Sequence, residues 1–120
     1  MKTFKDLMVW QKSMDLVRLV YTATKSFPIE EKFSLTSQIQ RSAISIPSNI
    51  AEGKLRRTNK NFIQFLYISL GSCAELETQI IIAKDVGYIK TTDFEKIQID
   101  INEIMKMITG LIKKLLEPKA

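Results

Sequence analysis

Histidine is absent from this sequence, and cysteine occurs once, as Cys73. The first absence removes the commonest general base near neutral pH, and with it every Ser–His or Cys–His nucleophile pair. It also removes the Glu-x-x-His pairs by which helical bundles hold two irons, and a lone cysteine cannot build a zinc site. Glu75 and Glu77, two positions apart, point to different helix faces and make no paired carboxylate site. A single cysteine excludes an internal disulfide, and the opening MKTFKDLMVW lacks the long apolar run of a secretory signal. The expectation is a reducing, cytoplasmic setting. No apolar run approaches the roughly 20 residues of a membrane-spanning helix, so no membrane partner is expected. Glycines are few, and Gly53 and Gly71 stand alone, so there is no glycine-rich phosphate loop. No catalytic residue, metal or cofactor is expected.

What is present is the composition of a globular chain, 45% hydrophobic and 26% charged. The formal charge of +5 favours polyanions or anionic surfaces. With no internal repeat, low-complexity tract or long linker, residues 1–120 are read as one domain. That domain is organised around QIQRSAISIPSNIAEGKLRRTNK, residues 38–60. Leu35, Ile39, Ala43, Ile46 and Ile50 keep helical spacing along one side. Ser42, Ser45, Ser48 and Asn49 put small polar groups where a core helix would carry leucine. Pro47 removes a backbone donor and crowds the carbonyl of Ala43, so the helix is expected to be perturbed there, with serine hydroxyls or water meeting the freed carbonyl. The perturbation either aims the turn that follows or is a tolerated kink at a packing crossover. Asn49 is read as fixing helix register rather than touching a ligand, and Gly53 as a left-handed C-cap. Lys54, Arg56, Arg57 and Lys60 then crowd four cations into seven residues. Thr58 or Asn59 can cap the next helix, which sets these cations at a helix N-terminus, where free amides already attract anions.

The remaining chain divides into three more helices. The first runs from Thr3, paired with Asp6 in a capping-box pattern, to about Ser26. Its stripe is Phe4, Leu7, Met14, Val17 and Tyr21, interrupted at Gln11 and widened by Leu16, Leu19 and Val20. Trp10 lies off the stripe and either covers the bundle end or contacts another subunit. Phe27-Pro28 ends this helix. Glu30 and Glu31 suit the start of the second, which spans Ile29 to Glu52. In the third, Phe62, Leu66, Ser69, Cys73, Leu76, Ile80 and Ala83 form a heptad seam. Ser69, Gly71, Ser72 and Ala74 are small enough for the 42–51 region to approach closely, and Gly87 is the stop signal. Thr92 or Asp93 caps the fourth helix, whose seam is Phe94, Ile97, Ile101, Ile104, Ile108, Leu111 and Leu115. A second row, Met105, Ile112 and Leu116, lies beside that seam. It is read, with Trp10, as an oligomer interface, the alternative being a wide core-facing stripe in a monomer. Four helices with short connections predict an all-α, antiparallel, up-down-up-down four-helix bundle, with helix 2 perturbed at Pro47.

The segments F-K-D-L-x-V-W (4–10), F-P-x-E-E (27–31), Q-I-Q-R-S-A-I-S-I-P-S-N-I-A-E-G (38–53), L-G-S-C-A-E-L-E (70–77) and G-Y-I (87–89) resemble the family of proteins encoded in the 23S rRNA intervening sequences of bacteria. The resemblance covers nearly the whole chain, and the run from Arg41 to Gly53 is its most specific part. It implies a left-handed antiparallel four-helix bundle assembling as a homopentamer. It also implies kinship with the accessory variability protein of diversity-generating retroelements, a basic pentamer that engages nucleic acid and a reverse transcriptase.

The function expected is therefore a non-enzymatic, oligomeric bundle binding structured RNA through phosphate contacts. Lys54, Arg56, Arg57 and Lys60 are the candidate contacts, with Arg41 assisting if it faces outward. The chain lacks the aromatic-rich basic surface that stacks single-stranded bases, which favours duplex or folded RNA. Two other readings of the same cluster are a solvated turn and a scaffold presenting the cations to an acidic protein or polymerase.

Overall fold

The computed structural model describes residues 3–118, so the outermost two residues at each end of the expected domain lie outside it. Four α-helices follow one another: α1 (Met8–Thr24), α2 (Leu35–Lys54), α3 (Asn59–Asp85) and α4 (Thr91–Leu116). Short 3-10 turns at Phe4–Asp6 and Ile29–Glu31 precede α1 and α2. Each helix packs on its neighbours in sequence and α4 closes on α1, while the backbones of the diagonal pairs stay apart. The result is the expected antiparallel four-helix bundle, a rod of 53 × 22 × 20 Å.

The core follows the sequence pattern most closely in α3, where all seven seam residues from Phe62 to Ala83 are buried. Leu66, Cys73, Leu76 and Ile80 meet Ile39, Ile46 and Ile50 of α2 and Ile97, Ile101, Ile104 and Ile108 of α4 in one continuous cluster. By length and mean hydropathy alone α3 would reach across a bilayer, contrary to the sequence reading. Part of that apolarity is the buried seam, and part is the exposed Tyr67, Ile68, Ile81 and Ile82 on the outer side of the helix.

Helix ends depart from expectation in instructive ways. The Thr3–Asp6 capping box forms, but on the 3-10 turn; Leu7 is extended (φ −70°, ψ 124°) and α1 starts only at Met8. The break shifts the phase of α1. Its buried face is Val9, Ser13, Leu16, Val20 and Ala23, while Met14 and Val17 are half-buried and Tyr21 is exposed. The Ile29–Glu31 turn likewise separates the acidic pair from α2, yet Glu31 still accepts a hydrogen bond from the Leu35 amide at 3.3 Å. Its other oxygen holds the Tyr88 hydroxyl at 3.2 Å. Lys90, rather than Thr92 or Asp93, occupies the cap position of α4 and offers no side-chain bond. Gly87 is the stop expected: at φ +81° it carries the chain out of α3, with the Tyr88 amide bonding the Ala83 carbonyl and the Gly87 amide the Lys84 carbonyl.

α1 and α4 are tied by charge. Asp100 is 5% exposed and lies 3.6 Å from Lys12 and 3.5 Å from Lys96, while Lys12 also reaches Glu103 at 3.1 Å. The Glu103 hydrogen bond, helped by Asp100, holds the Lys12 ammonium above its ordinary pKa against the opposing effect of burial.

Candidate nucleic-acid interface

Between α2 and α3 the side chains are small, and the backbones approach closely as a consequence. The Ser69 hydroxyl donates to the Ile46 carbonyl at 2.9 Å, and the Ser45 and Ser72 hydroxyls share a 2.8 Å bond. Gly71 and Ala74, expected at this contact, are instead on the exposed side of α3. α2 runs as continuous helix through Pro47, which is itself buried. The serines do not turn to the carbonyl that Pro47 leaves free: Ser42 donates to Glu75 at 3.2 Å and Ser45 is bonded to α3. The half-buried Asn49 spends its amide within α2, donating to the Ser45 carbonyl at 2.8 Å and to the Ser45 hydroxyl at 3.0 Å.

Gly53 corrects the sequence reading. It is helical and buried, and α2 continues to Lys54 rather than ending in a left-handed cap. Its missing side chain is needed for a different reason. A Cβ there would lie 2.7 Å from the Phe65 Cβ and 2.9 Å from Phe62 Cδ1. The absence of that atom lets the end of α2 lie against the start of α3, so that the turn between them is tight and held.

That turn, residues 55–58, carries Arg56 and Arg57, with Lys54 ending α2 before it and Lys60 in the first turn of α3 after it. Thr58 caps α3, accepting from the Asn61 amide at 3.2 Å. Lys54, Arg56, Arg57 and Lys60 are all exposed. Two are steadied by aromatic rings of α3: the Lys54 ammonium lies 5.8 Å from the Phe62 centroid and the Arg56 guanidinium 4.7 Å from that of Phe65. Arg56 also pairs with Glu52 at 2.9 Å, an exposed contact that offsets part of its charge. Among the described residues Arg57 and Lys60 have no acidic partner.

Two cations that the sequence reading passed over lie at the same end of the rod. The Asn59 side chain reaches the Leu115 carbonyl at 3.5 Å, which brings the C-terminal turn of α4 to the same end of the rod. Lys113 and Lys114 stand exposed in that turn. The signal was available: in an up-down bundle the last helix ends where the second meets the third. Arg41 is exposed but does not belong to this corner. It precedes Lys54 by thirteen residues on the same helix, about 20 Å at 1.5 Å per residue.

Of the residues read as an oligomer interface, Ile112 is 5% exposed within its own chain and belongs to the core. Met105 and Trp10 are half-buried and pack against that core, and Leu116 is 64% exposed. Trp10 also lies edge-on to Phe4, with centroids 5.5 Å apart. It lines an apolar groove of about 330 Å³ between α1 and α2 with Met14, Val17, Ile44 and Pro47. Cys73 is fully buried, and burial, aided by the Glu77 charge, pushes its thiol up to about 12.

The chain is thus an all-α four-helix bundle in which small residues bring α2 and α3 together. The chain matches the family model of the 23S rRNA-intervening sequence protein over residues 5–110, and it belongs to that family. It is similar to a crystal structure from Bacteroides thetaiotaomicron VPI-5482, described as a protein of unknown function from the S23 ribosomal protein family. The two chains share 31% identity and superpose with a TM-score of 0.81, covering 88% of this chain and 99% of the other. No curated protein matches.

Proposed function

We propose that this protein is a non-enzymatic, self-associating bundle that binds folded RNA through phosphate contacts at the α2–α3 corner. The observation that carries the reading is the pair Arg57 and Lys60, exposed and without acidic partners at the N-terminus of α3. Lys54, Lys113 and Lys114 widen the positive surface, and the first amides of α3 add their own attraction for anions. A site of this kind holds the backbone and carries little sequence preference.

One feature favours a binding role over catalysis. The one thiol is buried and held protonated, which makes it a poor nucleophile. Self-association is supported by the apolar side chains left outside the core, Met8, Tyr67, Ile68, Ile99 and Leu116 among them. In an assembly each copy repeats the corner, and weak phosphate contacts add.

The test is a titration of an RNA hairpin in rising salt. Affinity is expected to fall steeply and log-linearly with salt, and Arg57→Ala with Lys60→Ala to flatten the slope. Affinity that is flat across salt, or unmoved by the double substitution, rejects the reading. A partner retained from lysate after nuclease treatment would replace RNA with an acidic protein at the same corner.

A further inference from the structure

A second polar feature lies toward the other end of the α2–α3 face. It is an open groove of about 530 Å³ lined by Gln38, Arg41, Ser42, Ser45, Glu75 and Gln79. Its groups are unevenly satisfied. Ser42 donates to one oxygen of Glu75, and no bond holds the other. Neither Arg41 nor Glu75 has an ion-pair partner among the described residues, although both line the same groove. Gln79 is 9% exposed, and its Oε1 has neither a hydrogen-bond partner nor contact with solvent. That oxygen is closed to the groove, so the groups open to a ligand there are the Arg41 guanidinium and the second Glu75 oxygen.

The lining restricts what can settle there. An inorganic anion would meet the Glu75 carboxylate, and an apolar side chain would leave the charges and amides unmatched. The inventory instead asks for a planar group with donors on one side and acceptors on the other. A carboxylate takes two adjacent donors, and a guanidinium gives to two adjacent acceptors. Guanine has this layout: N1–H beside the N2 amino group, and O6 beside N7. Adenine and cytosine set a ring acceptor beside their amino donor, and uracil sets acceptors on both sides of its N–H. Each would turn a lone pair toward Glu75.

We infer that the α2–α3 groove takes an unpaired guanine, with Glu75 accepting from N1–H and the N2 amino group and Arg41 donating to O6 and N7. The Gln38 amide also lines the groove and can meet the base edge. The groove holds no aromatic platform, so recognition runs through the base edge. The inference rests on the RNA reading for one source of the base, a nucleotide turned out of a bound RNA whose phosphates reach the corner about 20 Å away. Free guanine nucleotide carries the same edge.

The experiment measures guanosine and adenosine 5′-monophosphate binding to the full chain by calorimetry. In parallel, two RNA hairpins differing only in a bulged guanine or adenine are titrated at fixed salt. Guanosine monophosphate, and the guanine-bulged hairpin, are expected to bind roughly tenfold more tightly than their adenine counterparts. Glu75→Gln removes the preference in both, and Arg57→Ala weakens both hairpins equally while leaving it. The exposed Glu75 position tolerates the change, which a thermal melt checks. Equal binding of guanine and adenine forms, or a preference that survives Glu75→Gln, overturns the groove assignment. The corner reading then stands or falls separately, on whether hairpin affinity still drops with salt. A mononucleotide preference without hairpin binding upholds the groove, makes the free nucleotide its ligand and rejects the corner.

Discussion

Gly53 and Phe65 face each other across the α2–α3 contact with no room for one more carbon, since a Cβ on the glycine would lie 2.7 Å from the Phe65 Cβ. The obstructing atom is rooted on the backbone, so neither helix can yield by rotating a side chain. Gly53→Ala in an exposed helix would stabilise by about 1 kcal/mol through helix propensity. Here it is expected to destabilise by about 2 kcal/mol, the overpacking cost outweighing the propensity gain. Chemical denaturation of the single variant reads the sign directly. A stabilised Gly53→Ala would show that the helices part without loss.

The four cations of the corner are expected to contribute unequally. Arg56 is already engaged by Glu52 at 2.9 Å and by the Phe65 ring, whereas Arg57 has neither. Arg57→Ala should lower the salt slope of duplex RNA binding by about 0.9, the value of one phosphate contact. Arg56→Ala should lower it by less. Glu52→Gln, which frees Arg56, should raise the affinity at low salt. Fluorescence anisotropy across a salt series separates the three, and equal slopes for Arg56→Ala and Arg57→Ala would remove the distinction.

Ile112 and Leu116 sit one turn apart on α4 and should respond in opposite ways. Ile112 is core, so Ile112→Ala is expected to cost about 2–4 kcal/mol of stability whatever the oligomeric state. Leu116, 64% exposed, contributes little to the fold of one chain. Leu116→Glu should leave the melting curve of the isolated chain unchanged and move the mass in solution toward the 13.8 kDa of a single copy. Light scattering at micromolar concentration is the measurement. An unchanged multiple of that mass moves the interface to another surface, and a natural chain already at the mass of a single copy rejects self-association.

Cys73 should make stability depend on pH in the alkaline range. The thiol has an ordinary value of 9.0 and is pushed up to about 12 in the folded chain. The folded state therefore keeps a proton that the unfolded state loses, and unfolding is increasingly favoured as pH rises above about 9. Below that the contribution is complete. Denaturation midpoints at pH 8 and pH 10 should differ more for the natural chain than for Cys73→Ala, itself costing about 1 kcal/mol for the lost packing. Thiol reagents should react only as fast as the chain opens.

Much of this fold was legible in the order of residues. Phe62, Leu66, Ser69, Cys73, Leu76, Ile80 and Ala83 follow a heptad without a break, and the structure buries every one. Gly87 and Thr58 act locally, through a left-handed backbone and a hydroxyl cap, so local reading placed them. The errors lie where a local signal had a distant cause. Gly53 resembles a helix stop, but the reason for its glycine is Phe65, twelve positions on in the next helix. In α1 the spacing from Phe4 through Leu7 to Gln11 crosses an extended residue, and the apparent stripe is out of phase with the buried one. The second apolar row of α4 was divided by packing, with Ile112 drawn into the core and Leu116 left outside. Of the candidate site, the α2–α3 cations were legible as a run. Lys113 and Lys114 came to the same end of the rod only through the topology, and the unpartnered Gln79 oxygen has no sequence signature.

The bond from Asn59 to the Leu115 carbonyl fixes the last turn of α4 beside the cationic corner, and the antiparallel order puts the first turn of α1 at that end as well. An affinity tag or fused reporter attached at either terminus would thus be joined at the same end of the rod as the surface proposed for RNA. Polyhistidine or acidic tags would mask or neutralise it and mimic a failure to bind. Probes belong at the opposite pole, in the Phe27–Ser34 connection or beside Gly87, where a dye leaves the cations uncovered.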